Sequence, residues 1–206
     1  MHEIIIRQLN LQPYELIWKK MSDFTQNRLK DTPDEFWLVE HFPVFTQGQA
    51  GKTEHILSPG LIPVIQTDRG GQVTYHGPGQ VVLYTLVDLK RRNLNIKSFS
   101  SALEQAIITL LDDYNIKGTT RQNAPGVYVN KAKIASLGLR LRKGCSYHGL
   151  SLNVAMDLEP FTRINPCGFV DLKVVQMSEF DKTVQVEKIS KELAQHLAIL
   201  LKCTSQ

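Results

Sequence analysis

The chain has 206 residues, 42% hydrophobic and 21% charged, with a formal net charge of +4. That length suits a single domain with its own core, and the composition excludes a disordered chain. The charge excludes the concentrated basic stripe of a nucleic-acid binder. The opening MHEIIIRQLNLQ has three consecutive apolar residues before an arginine, too few for a signal-peptide core. The longest apolar-rich run, VVLYTLV at 81–87, is strand-sized and too short to cross a bilayer. A cytoplasmic protein is expected.

In chain order, IIIRQL (4–9) reads as a strand. A helix is predicted over 13–29, opened by Pro13, with Leu16, Ile17, Met21, Phe24 and Leu29 on its apolar face. EFWLVEH (35–41), PVIQTD (63–68) and QVVLYTLVDL (80–89) read as strands. The clearest helix carries Phe99, Leu103, Ile107, Leu110, Leu111 and Tyr114, with Ser101 and Glu104 in capping-box spacing. GVYVN, KIASLGLRLRKG and CSYHGLSLNVAM, between 125 and 156, are predicted strands punctuated by glycines. A last helix is predicted over 184–203, with Val186, Ile189, Leu193, Leu197 and Leu200 on one stripe. The pattern predicts a mixed α and β (α+β) fold, an antiparallel-rich central sheet flanked by helices.

Three stretches could carry chemistry. RGGQVTYHGPGQ (69–80) packs four glycines, an arginine and a histidine between two strands. Such glycines let backbone approach a ligand and donate N–H groups, although a ligand-free turn accounts for them too. No GxxxxGK[ST] phosphate loop is present, and no histidine or cysteine spacing suits a metal. NKAKIASLG (130–138) places Lys131 and Lys133 on one face if it is a strand, and small apolar neighbours could turn Lys133 inward. In LRLRK (139–143), Arg140 and Arg142 face away from Leu139 and Leu141, as a solvated edge or a docking patch.

RINPCGF (163–169) sets Cys167 on a proline–glycine turn. A free thiol, with a pKa of about 8.5, is only a few per cent thiolate near neutrality. A neighbouring cation or base must switch it on, and Lys133, His76 and His148 are the candidates. Cys145, in a turn, and Cys203, on the last helix, read as structural, and no CxxC pair exists.

Taken in order, RGGQVTYHGPGQ, KIASLGLRLRKGCSYHGLSLNV and RINPCG resemble the motifs of the lipoyl(octanoyl) transferases, with no departure in any of them. The likeness covers nearly the whole chain. It implies one catalytic domain of the biotin/lipoyl-ligase type over 1–206. It also implies a cysteine nucleophile at Cys167 and a lysine that tunes it at Lys133. The acyl-binding segments fall on Arg69, Gly70, Gly71, Gln72, Val73, Thr74, Tyr75 and His76, on Ser136, Leu137 and Gly138, and on Gly149, Leu150 and Ser151, with His148 in support. An octanoyl group would arrive on the phosphopantetheine arm of acyl carrier protein. It would leave on a lysine of the lipoyl domains of 2-oxoacid dehydrogenase E2 subunits or of the glycine cleavage H protein. No ATP, metal, nucleic acid or membrane is implied, and a monomer is expected.

On that reading Leu137 and Val73 line the acyl slot, and backbone N–H groups near Gly70–Gly71 or Lys133 face the oxyanion. Arg140 and Arg142 would steer the acidic carrier. Three rivals stand beside it: an ATP-dependent lipoate or biotin ligase, which needs no cysteine nucleophile; an octanoyl amidotransferase moving the acyl group between two proteins, whose cysteine would be expected elsewhere in the chain; and a non-catalytic acyl-carrier-binding module.

Overall fold

The structure, a computed structural model, describes residues 3–203 without the side chain of Cys203. The reading of Cys203 as structural, like the ends of the 1–206 span, lies outside the described residues.

Strand β1 (Ile4–Gln12) runs into helix α1 (Tyr14–Gln26) and returns as β2 (Asp34–His41), parallel to β1. Pro13 sits at the N-cap of α1, where a missing N–H costs nothing. Tyr14, Ile17, Met21 and Thr25 form the buried face of α1. Leu16 and Leu29 depart from the expected stripe and are exposed. Leu16 is one position off the buried face, and Leu29 follows the helix end.

Next come β3 (Val44–Gln47), β4 (Val64–Gln66) and β5 (Val73–His76), which form a small sheet in the order β4-β3-β5. The glycine-rich stretch is therefore part loop and part strand, and β3 had no sequence signal because four residues show little alternation. Strand β6 (Gln80–Leu86) leads to α2 (Ile96–Asp113). The capping box of α2 is Asn95 with Ser98, not Ser101 with Glu104. Asn95 has the extended backbone of a cap, while Ser101 already lies inside the helix. Glu104 instead accepts a hydrogen bond from the Gly126 N–H at 2.9 Å.

The chain then runs through β7 (Val127–Val129), β8 (Ala132–Arg142), β9 (Cys145–Asn153) and α3 (Val186–Cys203). Cys145 begins β9 rather than lying in a turn, and burial pushes its thiol up. Lys131 occupies the β7–β8 turn with φ +71°, so it does not share a strand face with Lys133.

The main sheet has the order β1-β2-β6-β9-β8-β7, antiparallel at every pairing but β1–β2. Helices α2 and α3 cover one face, burying Phe99, Leu103, Ile107, Leu193 and Leu197 against Phe36, Leu38, Leu83 and Leu152. Leu201 is fully buried near the end of α3, and Leu200 is partly so. Tyr14, Ile17 and Met21 of α1 pack on the opposite face with Trp37, Val39, Val82 and Tyr84. The small sheet buries Phe45, Val73 and Tyr75 with Met156, Phe161 and Ile164. Among the described residues no helix is long and apolar enough to cross a membrane.

Candidate active site

The Lys133 Nζ lies 3.1 Å from the Cys167 Sγ. The two come together through backbone pairing. The Lys133 N–H donates to the Lys173 carbonyl at 2.8 Å, and the Val175 N–H donates to the Lys133 carbonyl at 3.0 Å. The segment just after Cys167 is thus tied to the start of β8. On the other side of the cysteine, the Asn165 N–H donates to the His55 carbonyl at 2.8 Å.

Cys167 itself sits in the 3-10 turn Pro166–Gly168 with φ +57°. A left-handed non-glycine residue costs about 1–2 kcal/mol, a strain that recurs at functional sites. The turn closes with the Gly168 N–H on the Asn165 carbonyl at 2.9 Å.

Lys133 is 3% exposed and donates a second hydrogen bond to the Pro125 carbonyl at 2.9 Å. Its Nζ also stands 5.3 Å from the Tyr128 ring centroid. Gly126 makes room for this side chain: a Cβ there would lie 2.8 Å from the Lys133 Cε and 2.4 Å from the Ala135 carbonyl oxygen. With φ at +130°, that position requires glycine. An ammonium in contact with sulfur, on a carbonyl and beside an aromatic face, stabilises negative charge on the sulfur.

The pair stands on the wall of a cavity of about 610 Å³. The loop 69–72 and β5 form one side, and β6, β8 and β9 form the other. Arg69 holds the loop's shape. Its guanidinium is buried and donates to the carbonyls of Thr46 at 2.6 Å, Gly70 at 2.9 Å and Gln72 at 2.7 Å, and to the Thr46 hydroxyl. No carboxylate pairs with it among the described residues, and burial pulls its pKa below the ordinary arginine value. Gly138 gives it space, since a Cβ there would meet the Arg69 Cδ at 3.0 Å.

The two histidines are engaged elsewhere. His76 stacks on Tyr14 and reaches Gln80 Oε1 through Nδ1 at 2.7 Å and the Thr46 hydroxyl through Nε2 at 3.2 Å. Burial, then the neighbouring His41, pushes its pKa down to about 3, so the ring is neutral and supplies no cation. His148 interrupts strand alternation with φ +59°, which lets its ring stack on that of Tyr147 at 5.0 Å. Both side chains meet the Asp68 carboxylate, with His148 Nε2 at 2.9 Å, and the Trp18 Nε1 donates to it at 2.8 Å. Burial lowers the pKa of His148 despite Asp68. Asp68 is itself held well below the usual carboxylate range, because hydrogen bonds from His148, Tyr147 and Trp18 outweigh its burial.

Of the expected acyl-binding residues, Arg69, Gly70, Gly71, Gln72, Thr74, His76, Ser136, Leu137, Gly138, Gly149, Leu150 and Ser151 line this cavity, and so does His148. Val73 and Tyr75 do not. Alternation along β5 turns them into the small sheet's own core, so Val73 is not part of the slot. Two proposed oxyanion donors are already spent. The Gly70 N–H donates to the Leu139 carbonyl at 2.9 Å, and that of Lys133 is taken by Lys173. Asp68, Thr46, Tyr14 and Pro125 were not singled out by sequence reasoning. Only Asp68, next to Arg69, sits beside a motif that could have flagged it.

Comparison with known proteins gives the family and the fold. Residues 13–198 match the family model of the lipoyl protein ligase A/B catalytic domain. An octanoyltransferase of Klebsiella pneumoniae subsp. pneumoniae is 57% identical over 200 residues, covering 97% of this chain and 94% of its own. One from Vibrio campbellii is 54% identical, covering 97% and 91%. Among solved structures, a bipartite lipoate protein ligase of Thermoplasma acidophilum, described with its E2 lipoyl domain, superposes with a TM-score of 0.78 at 15% identity, over 98% of this chain and 85% of that one. A biotin protein ligase of Aquifex aeolicus gives 0.59 at 10% identity, over 100% and 71%. These structures share the fold, the expected biotin/lipoyl-ligase type.

Proposed function

Because the chain belongs to the lipoyl protein ligase A/B catalytic-domain family and catalyses octanoyl transfer in lipoate biosynthesis, we propose that the acyl group travels through a thioester on Cys167. The observation that carries this reading is the 3.1 Å contact between Lys133 and Cys167 on the cavity wall.

In the first half-reaction the Cys167 thiolate attacks the carbonyl carbon of an octanoyl thioester on acyl carrier protein. A carbon–sulfur bond to Cys167 forms, the bond to the carrier sulfur breaks, and the departing thiolate takes a proton from the Lys133 ammonium. In the second half-reaction a lysine amine of a lipoyl domain attacks the same carbon. The bond to Cys167 breaks as the amide forms, and the now-neutral Lys133 accepts the amine's proton. The lysine thus ends as it began. Exchange between thioesters is nearly neutral and thioester to amide runs downhill, so the cycle proceeds without ATP. It takes place in the cytoplasm, on a single copy of the chain, with no metal or nucleotide.

The acyl chain lies between the 69–72 loop and β8–β9, against Leu137 and Leu150. Burying the seven carbons beyond the carbonyl contributes roughly 5 kcal/mol at ~0.8 per CH₂.

The test is intact mass after incubation with octanoyl-carrier protein alone. One octanoyl increment, mapped to the Cys167 peptide and retained in Cys145→Ser, is expected. Transfer only with ATP and free octanoate would assign a ligase. A bound carrier without any covalent species would assign a binding module.

A further inference from the structure

A second cavity, of about 370 Å³, opens between the β7–β8 hairpin and residues 169–173. Ala124 and Phe169 line both this groove and the cavity holding Cys167, so the two adjoin. Nothing in the transfer chemistry uses the groove. Its lining is polar and apolar in nearly equal parts, with the apolar floor made by Tyr128, Ala132 and Phe169, and Val170 beside them is 70% exposed. Its rim carries exposed Arg121, Lys131 and Lys173 against a single Asp171.

This rim is built. The Arg121 guanidinium lies 4.3 Å from the Tyr128 ring centroid and donates to the Lys131 carbonyl at 2.6 Å. Asn130 and Lys131 have φ of +47° and +71°, in a turn where glycine is usual at the second position. A lysine held there against that preference is a functional clue. Of the other basic pair, Arg140 lines the Cys167 cavity seven positions along β8 from Lys133. Its guanidinium is also held by Gln49 at 2.6 Å.

A groove with an apolar floor and a cationic rim complements a neutral chain of amides and methyl groups that ends in a phosphate. We propose that it seats the phosphopantetheine arm of the acyl donor, with the phosphate against Lys131, Lys173 and Arg121. The proposal rests on the reading of Cys167 as acyl acceptor. Carrier protein and coenzyme A share this arm, and the test separates them.

The rate of Cys167 acylation is measured by intact mass with octanoyl-pantetheine, octanoyl-phosphopantetheine, octanoyl-coenzyme A and octanoyl-carrier protein. In the native enzyme the phosphate is expected to raise the second-order rate constant about tenfold over octanoyl-pantetheine. Lys131→Gln with Lys173→Gln should erase that gain for all three phosphorylated donors and leave octanoyl-pantetheine unaffected. Indifference to phosphate in the native enzyme overturns the proposal. So does an equal loss with all four donors, or a loss confined to the carrier protein, which would make the rim a reader of the carrier's own acidic surface. An enzyme that no donor acylates removes the thioester reading and the groove together, whereas phosphate-indifferent acylation removes the groove alone.

Discussion

Cys167→Ser is expected to form no octanoyl-enzyme thioester and to lower octanoyl transfer by about 10⁴-fold or more, in line with nucleophile deletions elsewhere. The geometry explains why so small a change should be so costly. On this proposal the Lys133 Nζ, 3.1 Å from Sγ, stabilises an anion at the 167 position, and a thiol is a far stronger acid than a serine hydroxyl. Sulfur and oxygen differ little in size, so the turn closed by Asn165 and Gly168 should survive, and the melting temperature should move by no more than a few degrees. The check is steady-state transfer beside intact mass of the variant with excess donor. Transfer within tenfold of native would show that the acyl group passes directly between its two protein substrates.

Lys133→Met is the second large effect. Methionine matches the lysine stem in length and leaves the space beside Gly126 and Tyr128 filled. It leaves the Pro125 carbonyl without its partner, a cost of about 1–3 kcal/mol that lowers the melting temperature without unfolding the chain. Transfer should fall by about 10²–10⁴-fold, the usual range for a lost general acid–base. Alkylation of Cys167 by iodoacetamide, which reports thiolate without needing an acyl group, should slow by about tenfold or more. Lys133→Arg separates the two roles. A guanidinium keeps the positive charge but does not give up its proton, so alkylation should recover in part while transfer stays low. Native-like turnover in Lys133→Met would remove the lysine from the chemistry.

Local rules made most of the fold legible. The apolar periodicities of α2 and α3 and the β7–β8 and β8–β9 pairs follow from residues near each other in sequence, whereas β2–β6 and β6–β9 join strands far apart in the chain. The failures have local causes as well. Ser101 and Glu104 match a capping box by spacing, but Asn95 adopts the extended cap backbone and starts the helix earlier. Strand β3 is too short to show a period, although it brings Thr46 to Arg69 and His76. Val73 turns away from the cavity because β5 is a strand and not a loop, and in a strand one step changes the face.

At the site, Lys133 and Cys167 could each be singled out by their surroundings. Their contact could not, because they are 34 positions apart and meet through the pairing of Lys133 with Lys173 and Val175. Backbone pairing of that kind leaves no side-chain pattern to read. The same holds for Asp68, a lone carboxylate in sequence that in three dimensions joins Trp18, Tyr147 and His148.

All of this converges on whether an acyl group resting on sulfur is a way-station or a dead end. Octanoyl-enzyme freed of donor should be mixed with a lipoyl domain in a rapid-quench instrument, with no nucleotide present. The octanoyl group is expected on the domain's lysine as the enzyme returns to its free mass, at least as fast as steady-state turnover. Octanoyl-enzyme that persists, or that discharges more slowly than the enzyme turns over, would contradict the thioester route.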